Sequence, residues 1–70
     1  MLNEDTIIEY FEHTIAEYQL NGNVAGLKQI QTAAGVLMGA AERAGDKPLV
    51  KRFQIVAARA ANTAEAVGKK

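Results

Sequence analysis

Two short breaks, Asn21-Gly22-Asn23 and Gly45-Asp46-Lys47-Pro48, constrain this chain more than any other feature of its sequence. Each joins a glycine, which can take the left-handed backbone that closes a helix, to an Asn or Asp whose side-chain oxygen can cap the next one. Pro48 falls in the first turn after the second break, where its missing N–H does no harm. With so few residues between segments, neighbouring helices must fold back on one another as antiparallel hairpins. A third cap, Asn3, stands ahead of Glu4 and Asp5 and places acids at the positive end of the first helix dipole.

Between these signals the apolar residues recur at helical spacing. Ile7, Ile8, Phe11, Thr14, Ile15 and Tyr18 form one stripe; Leu27, Ile30, Ala34, Leu37, Met38 and Ala41 form a second; Leu49, Phe53, Val56, Ala57, Ala60, Ala64 and Val67 form a third. No period-two stretch lies between turn signals, so strands are not expected. The predicted fold is all-α: one domain, 1–70, a compact bundle of three helices at about 3–21, 23–44 and 46–67, with Gly68 ending the last before a Lys69-Lys70 tail.

Thirteen alanines, two phenylalanines and no tryptophan mean that much of the apolar content is small side chain. A chain of 70 residues buries only ~60% of the surface its unfolded form exposes, so self-association is expected to supply missing core. Two surfaces present themselves for it. Gly35 and Gly39 lie beside Lys28, Thr32 and Glu42 on a flank of the second helix that would ordinarily be polar, and each glycine costs roughly 1 kcal/mol relative to Ala. They are read as a surface for close approach, by a helix of another copy in preference to a ligand. The other surface is Ile55, an apolar residue set among Lys51, Arg52, Arg59 and Asn62 on the outer side of the third helix. At least a homodimer is expected.

Net charge is zero but unevenly spread: residues 1–23 carry five acids and no Lys or Arg, and residues 46–70 carry six bases against two acids. The first and last helices are therefore expected to lie side by side, within the chain or between copies. The absence of cysteine excludes disulfides and thiolate metal sites. No apolar run approaches the ~18 residues of a membrane span, and the acidic start does not resemble a signal peptide. A cytoplasmic protein is the expectation.

Catalytic chemistry finds little to work with. There is no serine or cysteine, and the single histidine has no evident partner to activate. Glu9, His13 and Glu17 share a helix face at four-residue spacing, which is conceivable for a metal or a proton relay but is ordinarily a solvated face. No cofactor or metal is expected, and no enzyme. The leading expectation is a small protein-interaction module, an inhibitor or adaptor that binds a bacterial host regulatory or motor protein. Compact phage accessory proteins act in this way, an analogy that rests on size alone. Its protein-interface candidates are Gly35, Gly39, Ile55, Lys51, Arg52, Arg59 and Tyr10, the last because an edge tyrosine offers a large contact area at low entropic cost. One alternative is an oligomer that sequesters a small phosphorylated or nucleotide ligand through Lys28, Thr32 and Tyr10. Another is a helix-turn-helix DNA-binding regulator with Lys51, Arg52 and Arg59 near phosphate.

Overall fold

The caps and glycines cut the chain where the sequence places them. In the computed structural model, which describes residues 2–69, the elements are α1 (Glu4–Asn21), α2 (Val24–Arg43) and α3 (Lys47–Gly68), and no strand occurs among the described residues. The Asn3 side chain accepts from the Thr6 N–H at 2.9 Å, Asn23 from Gly26 at 2.8 Å and Asp46 from Leu49 at 3.2 Å. The two turns are built alike. Gly22 and Gly45 have φ of 68° and 73°, and the following Asn23 and Asp46 donate their N–H groups to Tyr18 and Ala41 five residues back. One residue thus closes a helix through its backbone and caps the next through its side chain.

Gly68 departs from expectation. It is the last helical residue of α3 and is not a left-handed stop; Lys69, at φ −81°, donates to the Glu65 carbonyl and continues the right-handed path. Lys70, the second residue of the expected tail, lies outside the described residues.

The three predicted stripes meet in one core. Ile8, Phe11 and Ile15 of α1, Leu27, Ile30, Ala34 and Ala41 of α2, and Phe53, Val56, Ala60 and Ala64 of α3 are buried, with Ile7, Tyr18, Leu37, Met38, Leu49, Ala57 and Val67 half-buried around them. Thr14 is the one buried polar residue of this core, and its hydroxyl donates to the Tyr10 carbonyl at 2.7 Å, so its burial leaves no donor unpaired.

α2 and α3 form the most extensive pairing. Alanines on both faces let their backbones come close, whereas α1 stands off on larger side chains, with Phe11 meeting Phe53 edge-on at 6.4 Å between ring centres. Ion pairs fix the direction of α1. Asp5 accepts from Arg52 at 2.7 Å and Glu12 from Arg59 at 3.2 Å, so a step of two helical turns along α1 matches the same step, in the same sense, along α3. α1 and α3 therefore run parallel, and α2 runs antiparallel to both.

Candidate interaction surfaces

Helix phase decides what each predicted site residue does. Arg52 and Arg59 project from α3 toward α1, and their guanidinium groups are taken up by Asp5 and Glu12. The acidic and basic ends of the chain therefore meet within one molecule, as the charge distribution implies. Lys51 and Ile55 point the other way, and Ile55 is 56% exposed.

Gly35 is half-buried and Gly39 exposed, and a Cβ built on either meets nothing within 4 Å. No part of the chain makes the close approach for which these glycines were read. That approach occurs elsewhere. At Gly26, in the first turn of α2, a Cβ would lie 2.7 Å from two ring carbons of Tyr18 and 2.7 Å from the Asn23 amide nitrogen. Glycine is needed there because the α1–α2 hairpin closes around the tyrosine ring. The sequence reading missed it, since Gly26 sits among cap residues and nothing local marks an aromatic ring arriving from the preceding helix.

Lys28 and Thr32 are exposed on the same flank of α2 as the two open glycines, and the Thr32 hydroxyl donates to the Lys28 carbonyl at 3.1 Å. Tyr10 is 64% exposed on α1 and lies toward the opposite flank of α2. One chain therefore does not bring Tyr10 together with Lys28 and Thr32 into a ligand pocket. Glu9, His13 and Glu17 are exposed along α1, and no group of three or more His, Asp or Glu side chains among the described residues is placed to hold a metal ion. No helix among the described residues is long and apolar enough to cross a membrane.

The sequence reading passed over a surface between α1 and α2. An apolar groove of about 300 Å³ opens there, lined by Leu2, Ile7, Leu37, Ala40, Ala44 and Leu49 among others. Leu2 and Val36, 72% and 68% exposed, stand beside it on the side to which Tyr10 also points. A signal for it was present. Ala33, Leu37, Ala40 and Ala44 recur at steps of four, three and four, a second apolar seam of coiled-coil spacing adjacent to the core stripe. Leu37 belongs to both and was assigned to the core alone.

In comparison with known proteins, the chain matches no family model, no curated protein and no solved structure.

Proposed function

We propose that this chain is a small, self-associating protein-interaction module that acts as an inhibitor or adaptor by covering part of another protein's surface. The observation that supports this reading is the placement of its exposed apolar side chains. Leu2, Tyr10 and Val36 gather on one side, around the α1–α2 groove, and Ile55 stands on the outer side of α3. A bundle this small, with a core built largely from alanine, would gain stability by burying such groups; leaving them outside on two separate faces fits a chain that presents them to other molecules.

Two features weigh against the helix-turn-helix reading. α2 and α3 pack along their length, and Arg52 and Arg59 are already engaged by carboxylates of α1. A protein that grips duplex DNA needs such cations free for phosphate.

The test separates self-association from capture. Light scattering on purified protein is expected to give a mass of at least two 7.5 kDa chains. In affinity capture from the native host, a partner protein should be retained by the natural chain and lost with Ile55→Glu, while circular dichroism stays helical. Charge reversal at Arg52 or Arg59 is the poorer probe, because it also removes an ion pair that holds α1 to α3. A mass of one chain, together with capture indifferent to Ile55→Glu, would remove the reading.

A further inference from the structure

The two flanks of the α1–α2 face carry opposite charge. Along the outer edge of α1 stand Glu9 and Glu17; along the outer edge of α2 stand Lys28 and Arg43. Ion pairs among the described residues are Asp5–Arg52, Glu12–Arg59 and Glu65–Lys69, so these four charges have no counter-charge within the described chain. Between the flanks the surface is apolar: Ile7 and Tyr10 on α1, and Ala33, Val36, Ala40 and Ala44 on α2.

We propose that this face binds a second copy of the chain, forming a two-fold dimer in which α1 of each copy lies against α2 of the other and the four helices share the groove as a common core. The proposal rests on the self-association reading above and specifies its surface. A second copy is the occupant that the charges select. An axis running across the helices would set α1 on α1 and carboxylate against carboxylate. An axis running along them sets the acidic edge of α1 against the basic edge of α2, twice over, as an isologous interface requires.

The heights agree with that arrangement. Within one chain Tyr18 is level with Gly26, and Ile7 shares a groove with Leu37. Because α1 and α2 are antiparallel, stepping back one residue from Tyr18 brings Glu17 level with Leu27 and Lys28. Stepping forward three residues from Ile7 brings Tyr10 to within about half a turn of Val36. A two-fold axis along the helices preserves height. Glu17 of one copy then faces Lys28 of the second at the edge of the interface, and the Tyr10 ring covers the second copy's Val36. The apolar spacing of Ala33, Leu37, Ala40 and Ala44 supplies a seam of small and large residues into which facing side chains can pack.

The test uses the full chain. By light scattering, the natural protein is expected at the mass of two chains, Val36→Glu at the mass of one, and Ile55→Glu unchanged, all with helical circular dichroism. Glu17→Lys and Lys28→Glu should each raise the dimer dissociation constant roughly tenfold, and the double variant should restore it to within about threefold of the natural value. Since the chain has no cysteine, Glu17→Cys protein mixed with Lys28→Cys protein should give a covalent dimer under oxidation faster than either alone. A natural protein of one-chain mass overturns self-association and this dimer together. A dimer that survives Val36→Glu but is lost in Ile55→Glu or Gly39→Leu keeps self-association and overturns this face. Failure of the double variant to recover overturns the α1-against-α2 arrangement. A one-chain mass combined with capture of a different protein that Val36→Glu abolishes assigns the face to that protein and overturns the proposal.

Discussion

Glycine has opposite consequences at three positions of α2. At Gly26 an added methyl would lie 2.7 Å from the Tyr18 ring and the Asn23 amide, one a half-buried aromatic and the other a cap. Neither yields without loss. Gly26→Ala is therefore expected to destabilise the fold by about 1–3 kcal/mol, the range for overpacking a filled site, and urea denaturation would register it as a lower midpoint at an unchanged slope. At Gly35 and Gly39 a methyl meets open space. There the flexibility of glycine is a cost with no return inside the chain, and Gly35→Ala or Gly39→Ala should each stabilise by roughly 1 kcal/mol. For a domain of this size that is a rise of about 4–8 °C in melting temperature. A fall instead would mean that another molecule does come close to that flank. The sequence identifies all three positions as glycine, but which of them is needed depends on a ring carried by α1, and that information is not local.

At the scale of the helices, the turns hold the information that was legible. Asn3, Asn23 and Asp46 each accept from an N–H three residues on, and Gly22 and Gly45 take the left-handed conformation, because capping and helix closure are decided within about six residues of chain. Asn23→Ala and Asp46→Ala should each cost about 1 kcal/mol, and Gly22→Ala or Gly45→Ala about 1–2 kcal/mol from the left-handed backbone, measured by thermal melts followed at 222 nm. Gly68 was misread for a related reason. A glycine near a helix end closes it only when the chain turns there, and here the backbone continues in the right-handed path. The placement of α1 was half legible. Its excess of acid implied proximity to the basic α3, but the parallel register follows only from the two pairs Asp5–Arg52 and Glu12–Arg59. Both pairs are exposed, so a double-mutant cycle on either should return about 0.2–1 kcal/mol, diminishing as salt is raised. Their contribution is to orient α1, and the packing of Phe11 against Phe53 beneath them carries more of the attachment. The α1–α2 face was written in the sequence as a second four-three-four seam, yet Leu37 satisfies two periodicities at once and the first explanation hid the second.

Considered as a whole molecule, the bundle places alanine where α2 and α3 meet, which permits close backbones but buries little apolar surface per residue. Its large apolar groups are divided between the core and the outside. If the groove between α1 and α2 is completed by a second copy, association and folding are linked, and the melting temperature must rise with protein concentration. A hundredfold dilution changes the free energy of a two-chain assembly by about 2.7 kcal/mol, which a domain of this length registers as a fall of several degrees. Val36→Glu should abolish that dependence and melt at one temperature across the range, close to the value the natural protein approaches on dilution, because Val36 lies outside the core. Gly35→Ala should shift the whole series upward and leave its slope alone. A natural protein whose melting temperature is flat from micromolar to hundreds of micromolar would show that the small core suffices by itself, and that the apolar face between α1 and α2 contributes nothing to the stability of the fold.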